Sequence, residues 1–147
     1  MSDSIMRIIP SDPFVMIPSI LLEKVSTYLK KHINCDSVSY KEYEHPEFID
    51  CGGNLDIITC PLCGTIISFD WWREAMNNAY NSLFTDLKTI TPCCNKSTTL
   101  NDLNYSFKCG FAKCSIEIHN PSNIDDVIIQ EVQEILGTAI TIIYAHY

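Results

Sequence analysis

The residues best equipped for chemistry are cysteines in two short turns. "CPLCG" places Cys60 and Cys63 two residues apart, with Gly64 behind them. That spacer lets both sulfurs face one point and lets backbone N–H groups donate to them, while glycine relaxes the turn. The chemistry this suits is metal binding of the zinc-knuckle kind, yet two thiolates supply only half of a tetrahedral shell. "ITPCCNKSTT" offers a second half in Cys93 and Cys94. Laying Cys94-Asn95 over Cys63-Gly64 matches the two turns, because asparagine, like glycine, tolerates a left-handed backbone. The first ligand position then falls on Thr91, a poor ligand, and Cys93 is the available substitute. The expected set is Cys60, Cys63, Cys93 and Cys94, holding one structural zinc per chain. The fourth sulfur stays open between Cys93, Cys109 beside Gly110, and Cys51 in "DCGGN". Cys114 shares an apolar strand face with Ile116 and Ile118, where thiols act as small hydrophobes. Cys35 stands alone after the first helix and reads as structural.

Other chemistries fit less well. A redox Cys-x-x-Cys precedes a helix that lowers the thiol pKa, whereas the strand-like "TIISF" follows Cys63. A catalytic zinc keeps an open position, with histidine or carboxylate ligands. The chain has no HExxH, no Gly-rich phosphate loop and no GxSxG. Its four histidines, His32, His45, His119 and His146, are dispersed and read as structural or solvated. "EYEHPEFID" gathers Glu42, Glu44, His45, Glu47 and Asp50 in what reads as a solvated acidic loop.

Eight cysteines would mean disulfides in a small secreted chain. The opening "MSDSIMRIIPSDPF" has neither a basic start followed by an apolar stretch nor a small-residue cleavage site, so a reducing cytosol is expected. No run is long enough to cross a membrane. The formal net charge of −8 repels phosphate backbones, and the ten Lys and Arg are scattered. Nucleic-acid binding is therefore disfavoured, and an acidic surface would suit a basic protein partner.

Elements must hold these turns in place. "IMRII" (5–9), a helix with Leu22, Val25, Leu29 and Ile33 on one stripe, and "SVSYKEY" (37–43) make a β-α-β unit. Ser19 is placed to cap the helix, and Lys30, Lys31 and His32 suit its C-terminal end. The far end repeats the pattern. "FAKCSIEIH" (111–119) reads as a half-buried strand, and "NPSNIDD" opens a helix with Ser122 as cap and Asp125 in a capping-box position. Gly137 stops that helix, and "TAITIIYAHY" reads as a last strand. Two such units join into one antiparallel sheet with both helices on one face. The expected fold is thus α+β, ferredoxin-like, formed by 1–50 and 111–147. Residues 51–110 read as an inserted zinc-ribbon-like minidomain with its own helix, "DWWREAMNNAYNSLF" (70–84), capped by Asp70. Trp71 and Trp72 are expected to pack this insertion onto the sheet.

The strings "FIDCGGNLDIITCPLCG", "DWWREAM", "PCCNKSTTLNDLNY", "GFAKCSIEIHNP" and "IYAHY" together resemble a bacterial family of uncharacterised proteins. Members share a CPxCG, a Trp-rich helix, a Pro-Cys-Cys turn and an Ala-His-Tyr end. The resemblance runs from about residue 8 to 147 and implies that the Cys-Cys turn is a regular feature. It carries no catalytic residue onto this chain. In that pattern glycine follows the cysteine pair, where this chain has Asn95, and no cysteine stands at position 114.

The expectation is a non-enzymatic cytosolic zinc protein that acts by binding another protein. A nucleic-acid-binding ribbon is the second reading and needs a basic stripe near Lys88, Lys96, Lys108 and Lys113. A zinc- or thiol-dependent enzyme is the third, and needs an open coordination position or a reactive thiol beside a pocket.

Overall fold

The computed structural model describes residues 4–146. Part of the opening stretch read for a secretion signal (1–3), and the final tyrosine of the Ala-His-Tyr end, lie outside them. No described helix is long and apolar enough to cross a membrane.

The fold is mixed α+β. Strand β1 (Ser4–Pro10), helix α1 (Ser19–His32) and strand β2 (Ser37–Ile49) form the first unit; β8 (Gly110–His119), α3 (Asp126–Leu136) and β9 (Ile140–His146) form the second. The two units interleave in one four-stranded sheet of order β2-β8-β1-β9. Every neighbouring pair is antiparallel, with Met6 opposite Ile118 and Tyr144, and Val38 also opposite Ile118. Leu22, Val25 and Leu29 of α1 and Val132 and Leu136 of α3 share a buried cluster with Met6, Ile8, Cys114, Ile116 and Ile118. Both helices therefore bury their stripes on the same sheet face. Cys114 sits among these apolar side chains, and Cys35 packs against the cluster edge.

Three helix starts differ from the sequence reading. α1 begins after Pro18 with no side-chain cap, and Ser19 already lies inside the helix. α2 (Phe69–Tyr80) is capped by Ser68, which accepts from Trp71 N, while Asp70 lies in the first turn and pairs with Arg73 at 3.2 Å. α3 is capped by Asp125, which accepts from Ile128 N at 2.9 Å. Ser122 instead ties its segment to Asn34: Asn34 N donates to Ser122 Oγ, and Ser122 N donates to Asn34 O. At α2 and α3 several Ser or Asp residues compete for one cap, and local spacing does not rank them, whereas α1 starts without one. Gly137 does end α3, at φ 72°.

Two strand readings also change. Glu42–Ile49 is not a loop: β2 continues through it, with a register break between Glu42 and Glu47. β8 is long enough to pair with this extension, and Phe48 and Ile49 gain cover there. β8 itself is buried on both faces rather than half-buried, with Ser115 and Glu117 also enclosed. Glu117 can be buried because Arg7 and Lys41 pair with it at 3.3 and 3.4 Å.

Between the two units the chain forms β3 (Ile58–Thr59), β4 (Ile66–Ile67), α2, β5 (Lys88–Ile90), β6 (Ser97–Thr99) and β7 (Asn104–Tyr105). These make a three-stranded sheet, β4-β3-β7, and a β5-β6 hairpin. The segment leaves the main sheet after Ile49 and returns at Gly110, and these two residues face each other as register partners. Its core holds Ile58, Ile67, Leu87, Leu100 and Leu103, and reaches the main sheet through Phe111 and Phe48. Trp72 meets Phe48 edge-on with centroids 5.6 Å apart, as expected for a residue that docks the segment on the sheet.

Candidate metal centre

Each cysteine pair is presented by a turn between two short strands. In the first, Cys60 N donates to Thr65 O and Gly64 N donates to Cys60 O, both at 2.9 Å, with Gly64 at φ 78°. The second repeats both bonds: Thr91 N donates to Lys96 O and Asn95 N to Thr91 O, both at 3.0 Å, with Asn95 at φ 57°. Thr91 thus occupies the backbone place of Cys60, and Cys94-Asn95 that of Cys63-Gly64. The turn that lacks the two-residue spacer is built like the one that has it.

The structure brings Cys60, Cys63, Cys93 and Cys94 together, with all four sulfurs within 4.8 Å of one another. Cys63 and Cys93 sulfurs are 3.3 Å apart, and Cys60 and Cys94 sulfurs 3.8 Å. A tetrahedron with sulfur about 2.3 Å from a central ion has edges of about 3.8 Å, so the cluster has the right size. Cys60 is enclosed, Cys94 half-buried, and Cys63 and Cys93 are exposed. The group thus sits at the surface with its inner edge anchored in the segment's core. Cys51 and Cys109 lie outside this cluster, both buried.

Electrostatics favour a cation here. Burial works to raise the Cys60 thiol, but the N–H groups of Leu62 and Cys63 outweigh it and the thiol is lowered; Leu62 N lies 3.4 Å from the sulfur. The Thr65 hydroxyl and N–H, with help from Cys93, pull Cys63 down to about 6. Desolvation, then the neighbouring Cys63 and Cys60 thiols, pushes Cys93 up to about 12. Negative charge gathered on one side of the cluster therefore blocks ionisation on the other. A divalent ion would relieve that conflict by allowing all four sulfurs to be thiolates.

Two residues that spacing alone misses serve the sulfurs. Thr65 Oγ1 lies 3.2 Å from Cys63 Sγ, and Thr91 Oγ1 lies 3.1 Å from Cys94 Sγ. Thr91, rejected as a ligand, is buried with its hydroxyl against the sulfur it helps to orient. The signal was present in the turn alignment, which sets Thr91 at a ligand's backbone position.

Neither His32, His45, His119 nor His146 joins the cluster. His32 ends α1, with Nδ1 2.8 Å from Tyr28 O and its ring stacked on Tyr28. His119 and His146 end β8 and β9. A scan against family models, a search of curated proteins and a search of solved structures find no match to this chain.

Proposed function

We propose that Cys60, Cys63, Cys93 and Cys94 hold one structural zinc ion, and that the protein acts as a non-enzymatic interaction module for another protein. The convergence of two thiols from each of two matching turns, within 4.8 Å, carries this reading. Four cysteines fill a tetrahedral shell and leave no position for water or substrate, as in closed structural sites. The ion would tie β3-β4 to β5-β6, elements of two or three residues each that have little cohesion of their own.

The surface around the turns supports the interaction reading. Leu62 at the tip of the first turn, Ile66 on β4 and Ile90 on β5 are at least half exposed. Apolar groups at this exposure, beside a rigid metal clip, suit a protein contact. The formal net charge of −8 makes a basic partner the natural one and argues against a phosphate backbone. We place the protein in a reducing compartment, where thiolate ligands stay reduced.

Elemental analysis of untagged, reduced protein is expected to find one zinc per chain; a metal-free folded protein overturns the metal assignment. For the interaction, affinity capture from source cells at several salt concentrations is expected to recover a partner that Ile66→Glu loses. Capture of nothing by the zinc-loaded protein counts against the module reading.

A further inference from the structure

The two thiols left out of the metal cluster meet elsewhere. Cys51 follows the end of β2 and Cys109 precedes β8, where the last β2–β8 rung joins Ile49 to Gly110. Continued by one step, that register sets Cys109 level with Asp50, next in the chain to Cys51. Each thiol acts on the ionisation of the other. Both line one cavity of about 460 Å³, walled by Phe48, Phe69 and Trp72, with Arg73 beside it. That volume suits a small molecule. Cys114 lies in the helix-covered core instead.

We propose that Cys51 and Cys109 form a second thiol site, separate from the metal centre, that reacts with a low-molecular-weight disulfide entering this cavity and closes to an intrachain disulfide. Cys51 attacks first. Burial, with the Asp50 charge adding to it, raises its thiol, but the backbone N–H groups of Cys51 and Leu55 and the Cys109 thiol work against that, whereas at Cys109 every cause raises it. The Cys51 thiolate bonds to one sulfur of the reagent, whose S–S bond breaks and releases one small thiolate. Cys109 then loses its proton and attacks the Cys51 sulfur of the mixed disulfide, releasing the second small thiolate. Two protein thiols are oxidised, one reagent disulfide is reduced to two thiols, and the two protein protons end on them. The aromatic walls hold the reagent's carbon chain, while Asp50 and Arg73, the latter paired with Asp70, set opposite charges at the cavity wall; oxidised glutathione, which carries both carboxylates and amines, is the probe. The product joins the two ends of segment 51–109.

The test uses the full-length zinc-loaded protein and oxidised glutathione, with zinc release followed by a chromogenic chelator. The expected result is loss of two hydrogens in the intact mass, a cross-linked peptide pair containing Cys51 and Cys109, and zinc retained. The rate should rise about tenfold per pH unit between pH 7 and 8, as the thiolate fraction does. Cys51→Ser and Cys109→Ser should each abolish the link, while either alone keeps its zinc. A stable glutathione adduct that never resolves, a disulfide only among Cys60, Cys63, Cys93 and Cys94 with zinc released, or no reaction at all overturns the proposal. Should a serine variant fail to fold, the wild-type peptide map decides by itself. The zinc readout rests on the proposed metal site, whereas the mass change and the cross-linked peptide do not depend on zinc or on a protein partner.

Discussion

The indole Nε1–H of Trp72 donates to the Tyr105 hydroxyl at 3.2 Å, and that hydroxyl donates onward to Leu100 O at 2.6 Å. One chain of hydrogen bonds thus joins α2 to β7 and to the turn after β6, while the Trp72 ring rests against Phe48 of the main sheet. Trp72→Ala removes both the packing and the donor, and is expected to cost about 3 kcal/mol in urea unfolding. Trp72→Phe keeps most of the packing and should cost about 1 kcal/mol, the worth of the hydrogen bond. Equal losses for the two variants would mean that packing contributes little.

Zinc content separates the cysteine roles. Cys60→Ser, Cys63→Ser and Cys94→Ser should each lower zinc retention sharply in a competition assay with a chelator. Cys93→Ser should do the same, whereas Cys109→Ser should leave the zinc in place. The reverse order for Cys93 and Cys109 would move the fourth ligand to Cys109 and contradict the cluster geometry.

Removing the metal should loosen one part of the protein selectively. With a strong chelator and reductant present, amides of β3 to β6 should exchange much faster, because these short strands lose their clip. Amides of β1 and β8 are expected to keep their protection, held by the helix-covered core. Uniform loss of protection throughout would show that the two parts unfold as one.

Alkaline pH should destabilise the protein in reductant. Burial, with the Glu42 charge adding to it, pushes Cys114 up to about 11 from an ordinary value of 9.0. The unfolded thiol ionises near 9 while the folded one still holds its proton. The stabilisation is complete below pH 9 and is lost as pH rises toward 11. Cys114→Ala should flatten the urea midpoint between pH 9 and 10, although its absolute stability is lower; an unchanged slope would assign the loss to other groups.

Much of this was legible in the chain. Period-3.6 stripes at Leu22, Val25 and Leu29 and the alternation at Cys114, Ile116 and Ile118 marked the elements that pack together. The kinship of Cys94-Asn95 with Cys63-Gly64 survives as shared hydrogen bonds and positive φ. Less legible was the continuation of β2, because Glu42, Glu44 and Glu47 carry the composition of a loop and are strand only where β8 offers a partner. The burial of Glu117 was equally hidden, since it rests on Arg7 and Lys41 from two other strands. Caps failed for a local reason: Ser19, Asp70 and Ser122 each sit near a helix start, but the chain path gives the cap to Ser68 and Asp125 and leaves α1 with none.

The pairing of Ile49 with Gly110 has a consequence for protein engineering. Because the chain departs and returns at one rung, a short hairpin turn could replace everything between, and the backbone path would tolerate the surgery. The side chains would not. Phe48 and Phe111, whose rings touch each other and contact Trp72 and Phe84, would be stripped on the side the excised part covered. A pruned scaffold therefore needs polar replacements at those two positions, or it will gain a sticky face.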